Sequence, residues 1–260
     1  MGVTLATTEC DTSGEVICAP ADVLELFLHP GRTVILILLA MAVVIAILYF
    51  GLRGARLVPT KFGVMVEALV QYVRNDIAIG IIGPEGLKYF PYLLTIFTFI
   101  LVGNLFELVP GINFPIMSRM AIPLFLSLVT YVIFVVVGFA KNGLRYVGDV
   151  IWPRSVPIGL RWLVGLIEFV SYFALRPVTL AVRLFANMVA GHLMLTLLLV
   201  SGVVFLGDVG DIGIRSGIGL LWFAFGLGIF AFEFVVAVLQ AYIFTLLSAV
   251  YVQSSVHPEH

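Results

Sequence analysis

Charge is what this chain has least of: 11% of its residues are Asp, Glu, Lys or Arg, against 62% that are hydrophobic. A soluble domain has about a quarter of its residues charged, so this composition, with a mean hydropathy of +1.16, does not suit a protein alone in water. The net charge of −1 gathers into no basic patch, which argues against nucleic acid as a partner. Cysteine is also scarce. Cys10 and Cys18 both fall in the first 33 residues, where they either close one disulfide on an oxidising side or stay free thiols. The four histidines, His29, His192, His257 and His260, make no zinc-protease spacing, and no paired aspartates suggest metal-assisted phosphate chemistry. No catalytic residue, metal or cofactor is therefore expected.

What the chain has in excess is long apolar runs. Residues 1–33 form a polar tail that lacks the basic start and short apolar core of a cleavable signal. The rest, 34–260, reads as one all-α, polytopic membrane domain. Spans are expected at 34–50, at 92–109 after Pro91, and at 121–140, followed by two longer tracts, 162–206 and 218–252. As a single helix the tract 162–206 would be roughly 67 Å long, over twice the roughly 30 Å of a bilayer core. It must break near Pro177 or lie steeply tilted. Between the first two spans, 64–82 differs in kind: Glu67, Gln71, Arg74 and Asn75 share one face of an amphipathic helix. Such a helix lies along the membrane surface or packs on the bundle; a sixth crossing would put Arg74, Asn75 and Asp76 near its centre.

Lys and Arg orient the domain. Arg53, Arg56, Lys61, Arg74 and Lys88 in one loop region, and Lys141, Arg145, Arg154 and Arg161 in another, outweigh Arg32, Arg119 and Arg215 on the opposite side. The positive-inside rule then puts the N-terminus outside and the C-terminus in the cytoplasm, which requires an odd number of crossings; about five fits.

The polar residues inside the apolar tracts are the candidate functional groups. An arginine at mid-bilayer costs roughly 2.5–3.5 kcal/mol on the translocon scale, so Arg183 needs a partner or a water-filled cavity. On a helix Asn187 falls about 40° from Arg183, whereas His192 falls about 180° away, so the helix is two-sided. Ala186 and Ala190, four apart beside Arg183, would let another helix approach closely. The guanidinium does not discharge in proteins, so it can attract a carboxylate but not relay a proton. His192 is either a hydrogen-bonded core residue or a proton-exchanging group. Glu233 and Gln240, seven apart, share a face in the last tract, and the expected arrangement sets Glu233 against His192 and Gln240 near Arg183. Asn104 and Glu107 share a flank of the second span, Glu107 being either an interfacial carboxylate or a proton-accessible one. Glu168, about four turns before Arg183, adds a carboxylate toward the cytoplasmic end.

Three runs of sequence carry a resemblance. Arg176-Pro177 continues through Val182-Arg183-Leu184-Phe185-Ala186-Asn187-Met188 to Ala190-Gly191-His192; the others are Gly103-Asn104-Leu105-Phe106-Glu107-Leu108-Val109-Pro110 and Leu239-Gln240-Ala241-Tyr242-Ile243-Phe244. Together they resemble subunit a of the F-type ATP synthase, over nearly all the chain from Tyr92 onward. The resemblance implies a non-catalytic stator, one copy per complex, beside a c-ring and a peripheral-stalk subunit b, in a bacterial plasma membrane or an organellar energy-coupling membrane. It implies that Arg183 opposes the ring carboxylate between two half-channels, flanked by Asn187 and Gln240. His192, Glu233, Glu107 and Asn104 would line the outer half-channel and Glu168 would mark the inner one. It also implies that the two long tracts form a tilted hairpin against the ring. Several family members have glutamate where this chain has His192 and histidine where it has Glu233, an exchange that keeps one acid with one imidazole. Between Glu168 and Pro177 this chain has one residue more than many relatives, and its first 60 residues match only in general character.

Two other classes compete. A stand-alone ion-coupled transporter would need its own substrate site, often at broken helices in internal repeats, and no repeat is evident. An intramembrane enzyme would need one of the catalytic patterns already excluded. The sequence does not choose between H⁺ and Na⁺.

Overall fold

The computed structural model describes residues 32–52, 61–109, 116–143, 158–207 and 214–256. The tail with Cys10 and Cys18 and the loop charges Arg53, Arg56, Arg145, Arg154, Asp208 and Asp211 lie outside the described residues. Within them the regular elements are helical throughout. They are α1 (Arg32–Leu52), α2 (Lys61–Tyr72) running into a π-helical stretch (Val73–Ile82), a 3₁₀ turn (Pro84–Lys88), α3 (Phe90–Leu108), a short 3₁₀ turn (Ile116–Ser118), α4 (Ala121–Asn142), α5 (Ile158–Val170), a second π-helical stretch (Ser171–Leu175), α6 (Arg176–Gly207) and α7 (Ile214–Val256).

Five of the described stretches are long and apolar enough to span a membrane: Val34–Leu52, Phe90–Leu108, Ala121–Lys141, Trp162–Gly202 and Gly219–Val256. The amphipathic stretch is not among them. It packs on the bundle, burying Val66, Val73, Ile77, Ala78 and Ile82 while Glu67, Gln71, Arg74 and Asn75 stay exposed. On that exposed face Gln71 Nε2 donates to Glu67 Oε1 at 3.2 Å, one turn away. After Ile82 the chain turns through Gly83, whose φ of 89° lies in the left-handed region that disfavours residues with a Cβ.

The long tract does not break at Pro177. A proline inside a helix has no N–H to give and its ring presses on the carbonyl four residues back, here that of Phe173. Phe173 lies inside the π-helical stretch, where the wider winding makes room, so α5 passes into α6 without a stop. Thr179 supports the junction by donating to the Leu175 carbonyl at 2.7 Å, and Ser127 of α4 donates to the Pro177 carbonyl.

The main core lies where α3, α4, α6 and α7 meet, filled by Leu93, Ile100, Phe134, Leu180, Leu184 and Phe244, each 2% exposed or less. A smaller cluster of Leu36, Ala40 and Val44 fastens α1 to Val102 and Phe106 of α3. Helices α6 and α7 run antiparallel and very close. A Cβ on Gly202 would lie 3.1 Å from the Phe223 backbone nitrogen, and one on Gly226 would lie 3.0 Å from Leu199. Glycine at these points lets the backbones approach, as small residues do between membrane helices. Near the start of α3 and the end of α4, Lys141 pairs with Glu85.

Candidate functional site

Along α6 the residues sort into two faces. Leu180, Leu184, Met188, Leu195 and Leu198 are buried, while Thr179, Val182, Arg183, Ala186, Ala190 and Leu193 are exposed. Arg183 lies one residue from the midpoint of the apolar stretch Trp162–Gly202. It is exposed there, and among the described residues it has no hydrogen-bond or ion-pair partner. The exposed residues one turn to either side of it, Thr179 and Ala186, are small, and Ala190 continues the row. Asn187, one turn on, is half-buried.

Behind this face, toward the C-terminal half of α6, the structure gathers a polar cluster from three helices. His192 Nδ1 is 3.4 Å from Glu107 Oε1, joining α6 to α3; the Glu107 side chain is only 5% exposed and that of His192 27%. One turn before Glu107, Asn104 Nδ2 donates to the Ala237 carbonyl of α7 at 3.3 Å. Glu233, one turn before Ala237, lies directly over Gly191: a Cβ there would sit 2.5 Å from Glu233 Oε2. The expected pairing of Glu233 with His192 is therefore replaced. Glu107 takes the imidazole, and Glu233 takes the backbone beside it.

From this Gly191–Glu233 contact, Arg183 lies eight residues back along α6 and Gln240 seven residues on along α7. Because the helices are antiparallel, both steps run the same way, about 12 Å and about 10.5 Å. Arg183 and Gln240 thus stand at nearly the same level, the arginine on the exposed face and the glutamine buried at 6%. Among the described residues, three buried polar atoms in this region have no hydrogen-bond partner: Asn104 Oδ1, Gln240 Nε2 and Glu107 Oε1, whose approach to His192 at 3.4 Å is an electrostatic contact without hydrogen-bond geometry. Leaving such groups without a partner costs about 1–3 kcal/mol each, so a polar guest is favoured among them.

At the other end of α6 lies a second polar region. Glu168 lines a cavity of about 300 Å³ with Val164, Ile167, Ser171, Tyr172 and Arg176. Arg183 stands between the two regions, about 10.5 Å along the helix from Arg176 and about 13.5 Å from His192. The structure thus brings Asn104, Glu107, His192 and Glu233 together and sets Glu168 apart. Two residues absent from the sequence-based set belong beside them. Gly191 is the floor on which Glu233 rests, and the signal for it was a glycine inside a helix immediately before the only mid-membrane histidine. Arg176 walls the Glu168 cavity; its signal was a second arginine two turns from Arg183.

The model of the family described as ATP synthase A chain matches residues 34–253 of this chain. The chain belongs to the ATP synthase subunit a family. It is 38% identical to ATP synthase subunit a of Frankia alni over 236 residues, covering 90% of this chain and 80% of that relative. It is 36% identical to that of Pseudarthrobacter chlorophenolicus, covering 88% and 86%, and 35% identical to that of Dinoroseobacter shibae, covering 90% and 88%. The match begins at residue 34, well before the runs that carry the resemblance in sequence, so α1 belongs to the subunit a pattern as well. With five apolar helices the chain is an integral membrane protein, and membership of this family makes it a component of an ATP synthase complex.

Proposed function

We propose that this chain is the stationary, proton-conducting subunit of an F-type ATP synthase, which turns ion flow into rotation of a c-ring. The observation that carries the reading is Arg183: a permanent cation at the middle of an apolar helix, exposed, without a partner among the described residues and lined by small residues. Facing lipid it would be costly; facing a helix that carries a carboxylate it has its partner. Thr179, Ala186 and Ala190 give a ring helix room to pass close by.

The two polar regions on either side of Arg183 serve as half-channels. Protons enter from the outside through Asn104, Glu107, His192 and Glu233, where His192 and the two carboxylates exchange them. One proton neutralises a ring carboxylate, and the neutral site can then move into lipid. After nearly a full turn the site reaches the cavity beside Glu168, and the approach of its carboxylate to the Arg183 guanidinium favours release of the proton inward. Arg183 itself passes no proton, which insulates the two inlets from one another. Asn187 and Gln240 flank the crossing point. Each charge that falls through 100 mV supplies roughly 2.3 kcal/mol. ATP is made elsewhere in the complex, so this chain is not itself the catalyst.

In this reading the N-terminus is outside and the C-terminus cytoplasmic in a bacterial plasma membrane. Helices α6 and α7 form a tilted hairpin along the ring, and subunit b of the peripheral stalk holds the chain still. The test is a cross-link in the assembled complex between a cysteine in place of Ala186 and one beside the ring carboxylate. Disulfide formation that stops rotation is expected. If no position on the Ala186–Ala190 face cross-links to the ring, the reading is wrong.

A further inference from the structure

The second arginine of α6 has a different setting. Arg176 Nη1 donates to Ser254 Oγ at 3.0 Å, and its guanidinium carbon stands 4.0 Å from the ring centre of Tyr172 and 5.2 Å from that of Tyr251. The Tyr172 hydroxyl shares a hydrogen bond with Ser255 Oγ at 2.8 Å. Both tyrosine rings rest on Phe134 of α4, at 5.4 and 5.9 Å between centres, and Phe134 is 1% exposed. Two elements, the π-helical stretch and α7, therefore close on one guanidinium while α4 backs both rings; the guanidinium is both hydrogen-bonded and set over aromatic faces, the arrangement that suits Arg better than Lys.

We infer that Arg176 is a positioning residue: it latches the start of α6 to the end of α7 and thereby fixes where Arg183 points. This rests on the function proposed above. The two arms of the hairpin are joined covalently through 208–213 at one end only, and Arg176 with Ser254 and Tyr251 joins them at the other. The latch also straddles the one irregular joint in the long helix. Tyr172 belongs to the π-helical stretch Ser171–Leu175 and Arg176 is the first residue of α6, so their contact fixes the rotation of α6 at the joint. Arg183 follows seven residues later, two turns on and about 20° away in direction. A rotation at the joint would be carried to Arg183 undiminished.

The test uses the whole complex in inverted membrane vesicles, comparing wild type with Arg176→Gln, Arg176→Lys, Ser254→Ala and Arg183→Ala. Protons pumped per ATP hydrolysed are measured by dye quenching and normalised to the complex assembled. For Arg176→Gln that ratio falls about tenfold at normal assembly, within the roughly 100-fold that an ångström-scale misplacement can bring. Arg176→Lys, which keeps the charge and N–H donors but loses the planar guanidinium that lies over the rings, gives an intermediate ratio. A ratio equal to wild type in Arg176→Gln, or activity that falls only in step with the amount assembled, overturns the latch. Should Arg176→Gln fail to assemble, Ser254→Ala decides: a lowered ratio supports the latch, and a wild-type ratio overturns it. Normal pumping by Arg183→Ala instead takes down the proposed function, and the latch's role with it.

Discussion

Arg176 and Arg183 are the same side chain on the same helix, two turns apart and facing nearly the same way, yet the protein treats them oppositely. The first is enclosed by Tyr172, Tyr251 and Ser254; the second has no partner among the described residues and lies exposed in the middle of an apolar stretch. A membrane protein can meet the cost of a buried cation from its own side chains or leave it to something that comes and goes. In α6 the first arrangement is seen at Arg176, and the proposed function gives Arg183 the second.

Removing Arg183 is the sharpest way to break the contrast. Arg183→Ala is expected to reduce proton-driven ATP synthesis to background while leaving assembly intact, because it removes the cation proposed to face the ring carboxylate. Normal synthesis in reconstituted vesicles would show that the free arginine is idle. Next in size is the imidazole–carboxylate pair. His192→Leu or Glu107→Leu should slow passive proton flux about tenfold, less than the roughly 10²–10⁴-fold credited to a positioned acid or base, since parallel groups remain. Flux at the wild-type rate, measured under a potassium-diffusion potential, would return that pair to a packing role.

Gly191→Ala tests the same cluster by volume instead of charge. A methyl 2.5 Å from Glu233 Oε2 forces the carboxylate aside, and overpacking of this kind costs about 1–3 kcal/mol. Conduction should drop severalfold, and Glu233→Asp, with a shorter side chain, should restore part of it in the double variant. The smallest effect is expected at the Lys141–Glu85 pair, where the side chains are 33% and 43% exposed. Such pairs contribute about 0–1 kcal/mol, so Lys141→Ala should leave thermal stability and flux within error. A large loss there would mean that this contact matters more than its exposure suggests.

The membrane character, the helical spans and the faces within each helix were legible because hydropathy and the 3.6-residue period act locally. The period put Arg183 and Asn187 on one side of the helix and His192 on the other; that Arg183 is exposed while Leu180, Leu184 and Met188 are buried is set by packing against neighbouring helices. What the period could not give is how one helix is turned against the next. From sequence Glu233 was the carboxylate set against His192, and only the packing of α3 and α7 on α6 brought Glu107 to the imidazole in its place. Whether the long tract breaks at Pro177 or runs on was left open by the sequence, because the π-helical winding that lets it continue has no residue pattern of its own. Arg176 escaped notice because a second arginine near the first does not announce whether aromatic rings from distant helices will meet it.

The glycines of the hairpin have one more consequence. Gly191 and Gly202 on one arm and Gly226 on the other are notches into which Glu233, Phe223 and Leu199 fit. Teeth seated in notches resist sliding, so one arm cannot creep past the other by less than a helical turn without lifting out of mesh. A sideways push from a moving neighbour would then be met by both arms as a single beam.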